Sequence, residues 1–365
     1  MNILVLNASP KGKASATLHT ALYLEALHPE HTFEFLPVRG LSADMEDLLN
    51  EKGRRQARDF FDQLIFSCEH GLFVTPPPAA PGGARPAYRP ALPETAKTGH
   101  KDVVIVTDCA PEDEGLAAMI ADFRAALPCA GRVIDLREFP FAGGCLGCMN
   151  CAVTGKCVYK DGFDDFLRGT VQTADAFVYA FSISDHYAGA RFKCYDDRQF
   201  CNGHRAVTQG KPVAYLVRGD YRYEPNLRMV LEARAEVGGN YLAGVATDEG
   251  DTAADIAALA ANLALALDKG FSRPANFYGV GGSKIFRDLI YVMRGMMKAD
   301  HKFYKAHGAY DFPQKQKMRI LQMQLVGALL AVPAVQKQAK GKMTEAIVAP
   351  YRKVVEAAKG KENQT

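Results

Sequence analysis

No basic n-region and no small-residue cleavage site accompany the first apolar run of this chain, Ile3-Leu4-Val5-Leu6. That run reads as a buried strand and not as a secretory signal, so a cytoplasmic location is expected. A bilayer span needs about 20 consecutive apolar residues, and none is present: the longest mostly apolar segment, 320–335, is interrupted by Gln322, Gln324 and Pro333. It is expected to form a packing or dimer helix, the alternative being a membrane-surface helix flanked by Lys315, Lys317, Lys337 and Lys340. The chain lacks the G-x-x-x-x-G-K-[ST] order of a P-loop and the G-x-G-x-x-G of a dinucleotide fold, which argues against nucleoside triphosphate hydrolysis. No Ser/His/Asp or paired-carboxylate arrangement points to hydrolysis. Nine cysteines, an odd count, with Cys68, Cys109, Cys129, Cys194 and Cys201 scattered, fit a reducing compartment better than a disulfide framework.

The other four cysteines lie in thirteen residues, Cys145, Cys148, Cys151 and Cys157, in the order C-x2-C-x2-C-x5-C. Two-residue spacers let successive sulfurs point inward from one tight turn, as in loops that hold a [4Fe–4S] cluster. Gly143, Gly144, Gly147 and Gly155 loosen the backbone enough to permit it. Structural zinc sites more often split their ligands between two C-x2-C knuckles, and no second knuckle exists here. A cluster, zinc and reduced thiols that bind nothing all remain open at this stage.

With 365 residues and 48% hydrophobic content, the chain is long enough for two domains with real cores. The net charge of +3 is unevenly spread, since residues 284–361 carry sixteen Lys/Arg against five Asp/Glu while the rest is acidic. Such a basic segment is usually a solvated helix face. An acidic partner, a nucleotide phosphate or peripheral contact with an anionic membrane are the functional alternatives.

Residues 101–270 hold the clearest pattern. Strand-like runs at 103–106, 133–136, 176–181, 213–217 and 241–246 alternate with helical stretches, the first placing Leu116, Met119, Ile120, Phe123 and Leu127 on one face. Continuous apolar strands between amphipathic helices predict an α/β flavodoxin-like, doubly wound five-stranded parallel sheet at 99–270, with ligands at the carboxyl ends of its strands. The cysteine loop follows the second of these strands. Residues 1–75 begin similarly, with a strand at 3–6, a helix face of Leu18, Leu22 and Ala26, a strand at 32–36 and a helix near 44–61, and read as a partial unit. A Pro- and Gly-rich linker is expected at 76–98, and a basic, mainly helical extension, opening with Tyr- and Gly-rich loops, at 271–365.

Between the first strand and helix lies Asn7-Ala8-Ser9-Pro10-Lys11-Gly12-Lys13-Ala14-Ser15-Ala16-Thr17. Hydroxyls at Ser9, Ser15 and Thr17, the Lys11 and Lys13 ammonium groups and helix N-terminal amides suit one phosphate dianion; a helix merely capped by Ser15 is the alternative. The equivalent loop of the second unit carries Asp108, Glu112, Asp113 and Glu114 and would repel a phosphate. After the third strand of that unit, residues 182–190 include Ser182, Ser184, Asp185, His186 and Tyr187, where a planar ring could rest.

The start Ile3-Leu4-Val5-Leu6-Asn7-Ala8-Ser9-Pro10-Lys11 with Ser15 and Thr17 resembles the FMN-phosphate loop of the NADPH-dependent FMN reductase family of flavodoxin-like proteins. Gly144-Cys145-Leu146-Gly147-Cys148-Met149-Asn150-Cys151 with Cys157 and Asp161 resembles that family's cysteine loop, which in the iron–sulfur flavoproteins holds a [4Fe–4S] cluster. Gly189-Ala190-Arg191-Phe192-Lys193 with Asp197-Arg198 is similar to the helix after its ring-binding loop. The resemblance covers residues 1 to about 270 and implies an FMN-dependent NAD(P)H oxidoreductase. Ser9, Lys11, Ser15 and Thr17 would take the phosphate, Ser182 to Tyr187 the ring, and the four cysteines a cluster. It further implies a small-molecule or protein electron acceptor, a homo-oligomer and no nucleic-acid partner. The first unit lacks the family's middle strands, so FMN would be shared across units or subunits, or tight binding lost. The rival reading is a non-catalytic flavodoxin-like module whose cysteine loop binds zinc or nothing.

Overall fold

The structure, a computed structural model, describes residues 2–7, 16–37, 51–72, 87–312, 317–330, 332 and 334–335. The chain divides into two compact units, Met1–His307 and Gly308–Thr365, so the boundary lies inside the extension.

The first elements are β1 (Asn2–Asn7), α1 (Ala16–Leu27), β2 (Thr32–Pro37) and α2 (Glu51–His70), with β1 and β2 paired in parallel. Their small core gathers Leu18, Phe33 and Phe61. Leu22 and Ala26, expected on the same buried face as Leu18, are exposed, because a two-stranded sheet covers too little of α1. α2 runs past the expected end at Phe61 to His70, and 44–50 lie outside the described residues. Of the expected linker, 87–98 are described and carry no regular structure.

The principal sheet contains β3 (Asp102–Thr107), β4 (Ala130–Asp135), β5 (Ala176–Ser182), β6 (Pro212–Arg218) and β7 (Tyr241–Thr247), all parallel, in the order β4-β3-β5-β6-β7. This is the 2-1-3-4-5 order of the flavodoxin-like fold, as the alternation of apolar runs predicted. β3 turns left to β4, and the chain then returns to the right of β3 as β5. The carboxyl ends of β3 and β5 therefore flank the switch point. Five of the six β3 residues are buried, as expected for a parallel strand covered on both faces.

Alternation along β3 divides the core. Val103 and Ile105 face α3 (Glu114–Ala126) and α8 (Thr252–Lys269), with Leu116, Met119, Ile120, Phe123 and Leu127 all buried there. Val104 and Val106 face the other layer, made by α5 (Phe163–Phe166), α6 (Gly189–Arg198) and α7 (Pro225–Gly238). Between β4 and α5 the cysteine segment carries one short helix, α4 (Asn150–Thr154).

Beyond residue 270 the structure departs from the expected loops. α9 (Phe277–Val292) incorporates Tyr278, Gly279, Gly281 and Gly282, with Asn276 Oδ1 accepting from the Tyr278 and Gly279 amides. The glycines serve packing, since a Cβ on Gly282 would stand 2.6 Å from Val237 of α7 and one on Gly279 would stand 2.9 Å from Glu236. α10 (Lys298–Ala306) then docks beside α4 through Asp300, which is fully buried. Its carboxylate accepts from the His204 amide at 3.1 Å and meets His204 Nδ1 at 2.9 Å and Arg205 Nε at 3.2 Å. In the second unit, α11 (Lys317–Leu330) takes up most of the apolar run expected to be helical. Among the described residues no helix is long and apolar enough to cross a membrane.

Gly203 sits against Asp300 at φ +65°, where a side chain would be strained and would strike the carboxylate. Gly203→Ala is expected to destabilise the protein by roughly 1–3 kcal/mol in urea unfolding, whereas Gly295→Ala, with open space around it, should change little.

Candidate functional site

The cysteine segment leaves the end of edge strand β4 and is held by a buried ion pair. Arg198, at the end of α6, is 1% exposed and donates from Nη1 and Nη2 to the two Asp161 oxygens, both at 2.8 Å. Nη1 also reaches the Gly143 carbonyl at 2.9 Å, while Asp161 accepts from the Ala142 and Phe163 amides. The guanidinium lies over the rings of Tyr159 and Phe163, 4.3 and 4.8 Å from their centroids. Arg198 keeps the Asp161 carboxyl well below its ordinary range, at about 2. A second strut is Arg168, whose Nη2 donates to the carbonyls of Gly155 and Cys201.

Within this frame Gly143, Gly147 and Gly155 take positive φ, as does Met149 at the start of α4. Cys145 Sγ accepts from the Gly147 amide at 3.4 Å, and Cys151 Sγ points to the Phe200 carbonyl. The Cys157 amide donates to Asp164 at 2.7 Å, and the Cys148 side chain is exposed. Burial raises the Cys145 thiol and pushes Cys151 to about 11, so both hold their protons at neutral pH. Four thiolates on one ion at about 2.3 Å would keep their sulfurs roughly 3.8 Å apart. Among the described residues no three of these sulfurs lie within 4.8 Å of one another. As they stand, they do not fit a single zinc ion.

The switch-point crevice is occupied by the chain's own charges. Asp113 caps α3, its Oδ1 accepting from the Leu116 amide at 3.1 Å and facing Arg218 Nη1 at 3.3 Å. Its Oδ2 accepts from the Ser182 hydroxyl, which ties the β3 loop to the β5 loop across the switch point. Arg218 lies over Gly115, where an added Cβ would meet Nε at 2.5 Å, and the same Nε is 3.9 Å from an Asp248 oxygen. A helix amide, a hydroxyl and a guanidinium are what a phosphate would seek here, and a carboxylate already has them. The complete unit's first loop therefore does not fit the phosphate of FMN.

Beside it, Asp108 follows β3 directly. Burial raises its carboxyl to about 6, outweighing its own backbone contact and the opposing pull of Arg191. Such a group can hold or release a proton near neutral pH. Sequence reasoning counted Asp108 among repelling carboxylates and missed its burial; its place directly after a buried strand was the available signal. Arg218 and Asp248, at the ends of β6 and β7, were also missed.

The expected ring loop is a tight turn, closed by the Ser184 amide to the Tyr187 carbonyl at 2.8 Å and the reverse bond at 2.9 Å. Asp185 and His186 take positive φ of 51° and 59°, a strain that concentrates at ligand-binding turns. Ser184, Asp185 and His186 are exposed, with His186 Nδ1 2.8 Å from Glu224. Tyr187 is turned inward, its hydroxyl donating to Asp196 at 3.2 Å, so its ring faces the core more than the crevice. Ser9, Lys11 and Ser15 lie outside the described residues, and of Thr17 only the backbone, in α1, is described.

No family model matches the chain. No curated protein matches it either. Solved structures similar to it include a WrbA-like flavodoxin from Agrobacterium tumefaciens, 13% identical over 47% of this chain and 97% of that one, TM-score 0.31. Another is an FMN-dependent NADH-azoreductase from Bacillus anthracis in complex with FMN, 10% identical over 46% and 98%, TM-score 0.33. A third is Megasphaera elsdenii flavodoxin, 16% identical over 44% and 98%, TM-score 0.28.

Two outcomes follow from the charges. Because Asp161 is held at about 2 against an ordinary 3.8, its contribution is complete above about pH 4 and is lost as pH falls towards 2, amounting to roughly 2 kcal/mol. Arg198→Met should remove that acid dependence and cost roughly 3–5 kcal/mol in urea unfolding at pH 7. Asp108 has the opposite sign. Its folded value is raised from 3.8 to about 6, so stability falls as pH rises through that window. Asp108→Asn should raise the melting temperature at pH 7 by a few degrees and leave it unchanged at pH 3.

Proposed function

We propose that this protein is a flavodoxin-like oxidoreductase that works with FMN and NAD(P)H. The reading is supported by one arrangement: in a 2-1-3-4-5 sheet, the segment that resembles the reductase family's ring loop leads directly into α6, and the segment that resembles its cysteine loop is bound to the far end of that helix by Arg198. In that fold, ligands bind at the carboxyl ends of the strands. Since Asp113 fills the phosphate position of the complete unit, the phosphate falls to the first unit's loop, with Ser9, Lys11, Ser15 and Thr17 as its ligands. Bound FMN would supply hydride acceptance and onward electron transfer. The chain's own part would be to present the edge at Ser184, Asp185 and His186 to the ring and to hold a proton on Asp108. Ser182, bonded to Asp113, and Tyr187, bonded to Asp196, shape the turn from behind. Within this reading Cys145, Cys148, Cys151 and Cys157 are ligands of a [4Fe–4S] cluster, supported by their spacing alone. The electron acceptor is a small molecule or a protein.

A second reading is a non-catalytic module. It is favoured by the Asp113–Arg218 pair, which closes the crevice with internal charge.

Anaerobic protein titrated with FMN and with riboflavin separates the two. The oxidoreductase reading expects a flavin spectrum, FMN at least about tenfold tighter than riboflavin, and loss of that preference in a Ser9→Ala, Lys11→Ala double variant, as expected when a charge-assisted phosphate contact is removed. A protein that stays colourless with FMN, iron and sulfide would reject it. Cys148→Ala should lower bound iron while sparing flavin; unchanged iron would remove these cysteines from the ligand set.

A further inference from the structure

The first unit holds a ligand cluster that the proposed redox chemistry does not use. His28, Pro29, Glu30 and His31 form the turn between α1 and β2, and one ligand atom from each of His28, Glu30 and His31 lies within 4.8 Å of the other two. No other such group of three occurs among the described residues. His28 Nδ1 and His31 Nε2 approach the same Glu30 oxygen, at 3.1 and 3.6 Å. A tetrahedral ion with bonds of about 2.0–2.2 Å sets its ligand atoms roughly 3.4 Å apart, midway between those distances.

The surroundings also match a metal centre. The far nitrogen of His28, Nε2, faces Asp62 of α2 at 3.5 Å, the carboxylate–imidazole relation that orients metal-bound histidines. Both imidazoles are largely enclosed, at 19% and 10% exposed, and lie nearly parallel, 11° apart. Phe61 packs against them with ring centroids 4.7 Å from His28 and 6.3 Å from His31. Glu30 is 58% exposed and leaves one side open to solvent. Pro29 fixes one backbone torsion in the turn, so the ligands are partly preorganised. We propose that His28, Glu30 and His31 bind a divalent transition ion of the zinc class, with Asp62 as the acceptor behind His28 and water completing the shell. The ion would fasten the α1–β2 turn to α2, closing a unit in which two strands are found among the described residues.

The test uses untagged, full-length, metal-stripped protein with Zn2+ and Co2+ as probes. One equivalent of Zn2+ should bind by calorimetry and raise the melting temperature. Co2+ should give visible d–d bands without a thiolate charge-transfer band, which separates this site from the cysteine segment. Glu30→Gln, a change at an exposed side chain, and His31→Gln should each weaken Zn2+ by at least about tenfold, and Asp62→Asn by roughly 10–100-fold. Circular dichroism of the metal-free variants checks that the fold is kept. Absence of Zn2+ binding at about 100 μM, a site seen only with a thiolate band, or full affinity in Glu30→Gln would each overturn the assignment.

Discussion

One buried ion pair organises the carboxyl edge of this protein. Arg198 and Asp161 come from segments 37 residues apart, and their union fixes three things together. It pins the amide of Ala142 and the carbonyl of Gly143 at the start of the cysteine segment. It seats that segment on the end of α6, and it holds the guanidinium over two aromatic rings, Tyr159 and Phe163. Taking both charges from water is costly, and only good geometry with further hydrogen bonds compensates. Here five hydrogen bonds to backbone and side-chain groups provide it. The cysteine segment is therefore part of a braced structure, whatever its sulfurs bind.

A second constraint acts at the switch point. A crevice between β3 and β5 follows from topology, because the connections that leave these two strands run in opposite directions, β3 to β4 and β5 to β6. In this protein the crevice already contains an anion, and the anion is Asp113. Its partners, the Leu116 amide, Ser182 and Arg218, are donors that a dianion would otherwise recruit. The same residues that stiffen the edge exclude one mode of ligand binding. Asp108, left beside this network and half-buried, gains a proton affinity near neutrality chiefly from burial, with the Asp135 charge adding to it.

The helices after residue 270 belong to the same logic. α9 lies close on α7 because Gly279 and Gly282 carry no side chains, and α10 brings Asp300 under the cysteine helix to meet His204 and Arg205. That carboxylate packs against Gly203, whose positive φ and close contact leave no room for a side chain. A region that reads as Tyr- and Gly-rich loops opening a basic, mainly helical extension thus supplies a wall of the candidate site.

What the sequence determined by itself was everything that depends on neighbours in the chain. The runs at 103–106, 176–181 and 213–217 are apolar along their whole length, so each had to be a strand buried on both faces. Leu116 to Leu127 repeat at helical spacing, so they had to face a sheet. The cysteines were visible because their spacing is local, and so was the acidity of the β3 loop. Tertiary structure alone decided which charges meet. Nothing near Gly282 announces Val237, nothing near Asp161 announces Arg198, and four carboxylates in a loop do not say which will cap a helix and accept from Ser182. Those choices depend on distances between residues remote in sequence, and such distances exist only once the sheet has set its strands side by side.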